Sequence, residues 1–182
     1  RHRLRLPTPF EKHYVLQDNP SNEQDYVPDI LKALAALPIF RILNETVLDT
    51  LARQAEVQYY GVGETIVHVG EVDKGVCILL QGQVVLSCLD HAGNACIISS
   101  LETGDLFGEL SLLRNEPSLV SVTALQDVEL VMLNADTVFS IAQKQSNFAL
   151  EMNRFIDERK KLVQRSQEAK SEAVAASMTT PP

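Results

Sequence analysis

The sequence predicts an α+β fold: an antiparallel jelly-roll β-barrel flanked by N- and C-terminal helices. Three observations predict it. Between Val57 and Asn134 the chain runs in short β-rich stretches broken by Gly, Asp and Asn turn residues. On both sides of that region apolar residues recur at helical spacing instead. A length of 182 residues with 45% hydrophobic content suits one domain with a single core plus flanking pieces.

The first 28 residues read as an N-terminal segment or linker that closes a preceding domain. Arg1–Leu6 alternates polar and apolar and then meets Pro7 and Pro9, the pattern of a short strand stopped by prolines. Gln17–Gln24 is polar and contains Pro20, so it approaches a helix rather than joining one. The domain proper spans residues 29–165. Pro28 suits a first helical turn, Asp29 favours the N-terminal end of the dipole, and Ile30, Leu31, Leu34 and Leu37 follow at helical spacing up to Pro38. Asn44 is placed to cap a second helix whose Val47, Leu48, Leu51, Ala52 and Ala55 share a face.

Seven β-rich runs follow: Val57–Tyr60, Thr65–Val69, Val76–Gln81, Gln83–Leu89, Ala95–Leu101, Val120–Ala124 and Val128–Leu133. Their spacing fits a small sandwich or jelly roll. Helix returns at Asn134, a cap residue with Asp136 behind it and Val138, Phe139 and Ile141 as its apolar side. A longer helix starts near Asn147 and carries a stripe of Phe148, Met152, Phe155, Ile156, Arg159, Leu162 and Val163. Beyond Gln164 the apolar signal fades, and residues 166–182 read as a disordered tail.

Composition narrows the function classes. A net charge of −8 opposes a duplex nucleic-acid surface, which needs clustered cations to displace counterions. Cys77, Cys88 and Cys96 sit in apolar runs without framework spacing, so they read as buried thiols rather than a disulfide scaffold. No apolar run approaches the ~18 residues that span a bilayer. The four histidines are scattered with no Cys or carboxylate at ligand spacing, so no metal site is expected. No nucleophile elbow, triad order or Gly-rich kinase loop is present, which argues against an enzyme. The first residue is Arg1 rather than Met, so the chain reads as a piece of a longer protein.

The stretch from Gly104 to Ala124 interrupts the strand rhythm. Gly108–Leu113 reads as a short helical turn that starts at a glycine. A helix N-terminus offers unpaired N–H groups and partial positive charge, a natural seat for phosphate. Gly108 lets a ligand approach the backbone. Glu109 adds like charge beside such a seat, which makes sense if it accepts hydrogen bonds from a sugar hydroxyl.

Here the chain resembles the cyclic nucleotide-binding domain family over about residues 37–152. The matching marks are Leu37 and Phe40, Tyr60-Gly61 with Gly63-Glu64 and Ile66, Gly70, Gly82 between two apolar runs, and Gly104-Asp105 with Phe107-Gly108-Glu109-Leu110. The resemblance implies a barrel that takes cAMP or cGMP, with Gly108 and Glu109 at the ribose and phosphate and Phe107, Leu110 and Ser111 as further ligand-binding candidates. It also implies that the Phe148–Val163 stripe acts as a lid relaying binding to an attached domain. No other cofactor is implied.

The family carries Pro-Arg-Ala-Ala-Thr after the short helix, whereas this chain has Pro117-Ser118-Leu119-Val120-Ser121. Ser118 stands where an arginine would pair with the cyclic phosphate. Losing a charge-assisted bond of roughly 1.5–3 kcal/mol weakens binding about 10- to 150-fold. Leu119 replaces a small residue and crowds the seat, while Ser121 retains a hydroxyl. Ser118 and Ser121 also read as ordinary turn and strand residues. Arg114 has two readings, a substitute cation or a solvated surface residue. Weak or altered cyclic-nucleotide binding is therefore expected.

Three settings compete. One is a regulatory module on the cytoplasmic side of a membrane channel or transporter, oligomeric through that parent protein. Leu4-Arg5-Leu6-Pro7-Thr8-Pro9-Phe10 is similar to the end of the cytoplasmic β-domain of small-conductance mechanosensitive channels. A second is a degenerate domain that serves assembly with an empty or self-filled pocket. The third, a truncated transcription regulator, is disfavoured by the acidic charge and by the short polar stretch after Arg165.

Overall fold

A computed structural model describes residues 23–72, 74–110 and 116–178. Helix α1 (Glu23–Ala36), a 3-10 turn (Phe40–Ile42) and α2 (Glu45–Gln54) lead into eight strands. These are β1 (Glu56–Tyr60), β2 (Thr65–Val67), β3 (Gly75–Gln81), β4 (Val84–Leu89), β5 (Ala95–Leu101), β6 (Leu106–Phe107), β7 (Ser121–Ala124) and β8 (Val128–Asn134). Helices α3 (Ala135–Lys144) and α4 (Ser146–Met178) follow. The strands form two antiparallel four-stranded sheets, β1-β8-β3-β6 and β2-β7-β4-β5. The α+β expectation therefore holds, with barrel between helices.

Alternation builds the core. In β4, Val84, Leu86 and Cys88 point inward while Val85 and Ser87 are half-exposed. β3 is buried on both faces from Gly75 to Leu79, because α3 packs on its outer side. Register shifts at Leu79/Gln81 in β3 and at Leu86/Ser87 in β4 bend the sheets toward closure. Both expected caps form. Asn44 Oδ1 accepts from Val47 N at 2.9 Å, and Asn134 Oδ1 accepts from Asp136 N at 2.9 Å. All three cysteines are buried, and none is in a disulfide.

Four expectations change. Helix α1 begins at Glu23, so the segment ending at residue 28 is not linker throughout, and Pro28 lies inside the helix at the loss of one early backbone bond. Docking compensates: Ile30 and Leu34 are buried in the core, and the Tyr26 hydroxyl hydrogen-bonds that of Tyr59 on β1 at 2.8 Å. The tail reading is corrected as far as Met178, because α4 continues to that residue. Gln, Glu, Lys and Ala dominate there and are good helix formers even without an apolar face. Strand β6 and the 3-10 turn are too short to leave a periodic signal.

The readings of Arg1–Leu6 as a strand, of Leu4–Phe10 as a channel-like segment, of Ser111 and Arg114 as site residues, and of the last four residues as tail lie outside the described residues. The same holds for the helical turn beyond Leu110.

Helix α4 is the element that positions the site. It packs against β4, β5 and the 3-10 turn, with the Phe148 ring 5.8 Å from that of Phe40.

Candidate ligand site

A tight turn delivers the chain to the site. Gly104 N donates to Leu79 O at 2.8 Å, and Glu102 N donates to the Asp105 carboxylate at 2.8 Å. β6 then lays Phe107 opposite Cys77 and buries it. Gly108 follows with φ +83°, and a Cβ there would stand 2.6 Å from the carbonyl oxygen of Gly75. Only glycine satisfies both the left-handed backbone and the close approach to β3. This turn aims Glu109 inward, where it is 2% exposed.

Glu109 meets a cation from far along the chain. Arg159 on α4 donates from Nε to Glu109 Oε1 at 3.0 Å and from Nη2 to Leu106 O at 3.1 Å. Arg159 is 8% exposed, and its guanidinium lies 5.5 Å from the Phe155 ring centroid. A charge-assisted pair of this kind is strong because both ions are out of water and Arg159 is further hydrogen-bonded and stacked. Lys160, the next residue of α4, pairs with Glu116 at 3.1 Å. Leu110 is buried beside them.

The second half of the cassette is neutral. Ser118 is 2% exposed. Its hydroxyl donates to Val120 O at 3.0 Å and accepts from Val120 N at 3.3 Å. Its backbone N donates to Glu71 O at 2.7 Å, and its O accepts from Gly70 N at 2.8 Å. Ser118 therefore holds its loop against the β2–β3 connection. Leu119, expected to crowd the seat, is instead 45% exposed. The Ser121 hydroxyl accepts from Val69 N at 3.1 Å at the edge of β7.

The structure thus brings Phe107, Gly108, Glu109 and Leu110 together under α4, and it sets Ser118 and Ser121 into loop bonding. Arg159 is the site residue that sequence reasoning missed as a partner. Its signal was present, since it is the one cation on the apolar stripe of α4. Two cavities of about 300 Å³ lie elsewhere: one beside Gly82 and Thr103, the other between α4 and the Leu37–Ile39 turn. Neither is lined by Glu109 or Ser118. Among the described residues no group of three His, Cys, Asp or Glu is placed to hold a metal ion, and no helix is long and apolar enough to cross a membrane.

The family model described as cyclic nucleotide-binding domain matches residues 57–145. The barrel is similar to that family over these residues. The match ends just before α4, so Arg159 reaches the barrel from outside the matched segment. The chain is similar to a cyclic nucleotide-gated potassium channel of Rhizobium etli, 29% identical over 112 residues, which are 62% of this chain and 30% of the channel. It therefore spans under a third of that relative's length. Among solved structures it is similar to the regulatory subunit of a cAMP-independent protein kinase A from Trypanosoma cruzi bound to guanosine. There the identity is 20% and the TM-score 0.60, over 75% of this chain and 52% of that one. It is also similar to the Trypanosoma brucei counterpart in a triple mutant bound to cAMP, with 22% identity and a TM-score of 0.58, over 73% of this chain and 53% of that one. These two likenesses show the fold.

Proposed function

We propose that this barrel is a ligand-sensing regulatory module that binds cAMP or cGMP weakly and acts through α4 on an attached domain. The observation that carries the reading is Ser118, which stands in the expected arginine position with its hydroxyl engaged by Val120. Among the described residues the cations at the cassette are Arg159 and Lys160, both on α4 and both paired with carboxylates. A ligand that engages Glu109 must compete with Arg159, so occupancy at the barrel and the position of α4 are linked. A channel or transporter on the cytoplasmic side of a membrane is the parent we favour, because the Rhizobium etli relative is a gated channel of which the match covers only part.

A second reading is favoured by the same neutral half of the cassette. A nucleoside needs the carboxylate for its ribose and no cation for a phosphate. The Trypanosoma cruzi relative is bound to guanosine, and the Trypanosoma brucei mutant that is bound to cAMP changes a threonine to arginine and the adjacent valine to alanine.

Calorimetric titration of the protein with cAMP, cGMP and guanosine tests both readings. The expected result is cyclic-nucleotide affinity weaker than micromolar in the wild type. The double variant Ser118→Arg, Leu119→Ala then gains about 10- to 150-fold, the worth of one charge-assisted bond. Micromolar or tighter cAMP or cGMP binding by the wild type overturns the first reading. Guanosine binding without nucleotide binding establishes the second. No binding by the wild type to any of the three, with a gain in the variant, marks a domain whose site is lost and whose role is assembly.

A further inference from the structure

The cysteines Cys88 and Cys96 have no part in the ligand site. They face each other directly across the antiparallel β4–β5 pair, with their Sγ atoms 2.7 Å apart. Directly opposed residues on such strands have Cα atoms about 4.5–5.5 Å apart, inside the roughly 4.4–6.8 Å range that a disulfide spans. Cys88 and Cys96 are both buried, and Cys96 Sγ also donates to Cys88 O at 3.4 Å. The third thiol, Cys77, lies in the other sheet, opposite Phe107 and Met132.

Helix α4 straps the neighbouring rung. Leu89 and Ala95 are paired one step beyond the thiols. Gln167 donates from Nε2 to Leu89 O at 2.8 Å, and Lys170 donates from Nζ to Ala95 O. The C-terminal part of α4 presents few buried side chains beyond Val163, and these two bonds to opposite strands help tie it to the hairpin. Both are single bonds from partly exposed side chains, which open more readily than core contacts.

We propose that Cys88 and Cys96 form a reversible oxidation site, a cross-strand dithiol that a hydroperoxide converts to a disulfide and whose access is set by the docking of α4. The step balances as two thiols and one hydroperoxide giving one disulfide, one alcohol or water from the peroxide, and one further water. One sulfur attacks the peroxide O–O bond and becomes a sulfenic acid. The facing thiol then displaces hydroxide, which leaves as water with the thiol proton. Burial and the bond to Cys96 push the Cys88 thiol up to about 12, so the docked state holds it protonated and slow to react. Freeing α4 admits water and oxidant to the rung. This is independent of the ligand reading, since neither thiol touches Glu109 or Ser118.

The test uses the full 182-residue chain treated with hydrogen peroxide, quenched by alkylation and read by intact mass and peptide mapping. The expected product has lost two hydrogens, carries an intramolecular Cys88–Cys96 link, and keeps Cys77 as a thiol that alkylates on denaturation. In Gln167→Ala the link forms faster, by about fivefold for the bond removed, and in Lys170→Ala the gain is smaller because that change also removes a charge favouring the Cys88 thiolate. These surface substitutions leave the core untouched, so folding does not confound them. Three results overturn the proposal. They are a wild type that loses no hydrogens under peroxide that oxidises free cysteine, a link that includes Cys77 or a second chain, and closure at the same rate in both strap variants.

Discussion

The two halves of the ligand cassette are held by different chemistry. Gly108 and Glu109 are fixed by a buried ion pair to a helix 50 residues away, whereas Ser118 is fixed by neutral bonds within the barrel's own loops. The first half ties the site to α4. The second only shapes the loop. On the proposed reading a signal passes through the first half, since a ligand that takes Glu109 competes with Arg159 of α4. Among the described residues, the bond from α4 to the Ser118 side of the cassette is the Lys160–Glu116 pair, which is partly exposed and contributes about 1 kcal/mol at most.

Breaking the charged half has the largest expected effect. Arg159→Ala leaves Glu109 buried without this partner and costs about 3–5 kcal/mol in urea unfolding. Replacing both members together with leucine recovers most of that loss, because an apolar pair of similar volume often equals a buried ion pair. Recovery in the double variant alongside loss in the single one separates the cost of removing one member from the worth of the pair. Hydrogen exchange along 146–165 rises in Arg159→Ala if the pair is what docks α4.

Next comes the turn that aims Glu109. Gly108→Ala places a side chain at φ +83° and against Gly75 O. The backbone and overpacking costs together come to about 2–4 kcal/mol. An unchanged urea midpoint would mean that Gly108 is not needed to seat the acid. On the neutral side, Ser118→Ala strips the buried Val120 N and O of their hydroxyl partner and costs about 1–2 kcal/mol. It should leave exchange in α4 unaltered. A change there would erase the contrast between the halves.

Much of this was legible in the sequence, for physical reasons. Turn glycines and alternating aliphatics set the strands, because the period of two and the need for positive φ are local properties. Asn44 and Asn134 were legible as caps, since a cap bonds within three residues. The Gly108–Glu109 motif marked the barrel and half of the candidate site. Three features were not legible. Arg159 sits on an apolar stripe, and only the folded chain brings it against Glu109. Ser118 was identified as a departure, but its hydroxyl's own partner depends on the loop path. The facing of Cys88 and Cys96 depends on strand register, which a bulge at Leu86/Ser87 shifts.

The smallest effect belongs to the β4–β5 turn beneath the end of α4, and it extends the contrast to a charge held by purely local bonds. The Asp90 carboxylate accepts from Asn94 N at 2.8 Å, from Ala92 N at 2.9 Å and from Asn94 Nδ2 at 3.3 Å. The backbone N–H of Asn94, then the Asn94 amide, the Ala92 N–H and the Lys170 charge hold this carboxyl below its usual value of 3.8, against the opposing effect of burial. A carboxyl depressed in the folded state adds stability that is fully present above its unfolded value. That stability is lost as pH falls through the folded value. Asp90→Asn should therefore lower the urea midpoint by a constant small amount near neutral pH, with the gap from wild type closing only below about pH 3.8. Because Lys170 is the only cation among these causes, raising the salt concentration should narrow the gap only slightly. A gap that salt abolishes would show that the strap from α4, and not the turn's own amides, holds the carboxylate.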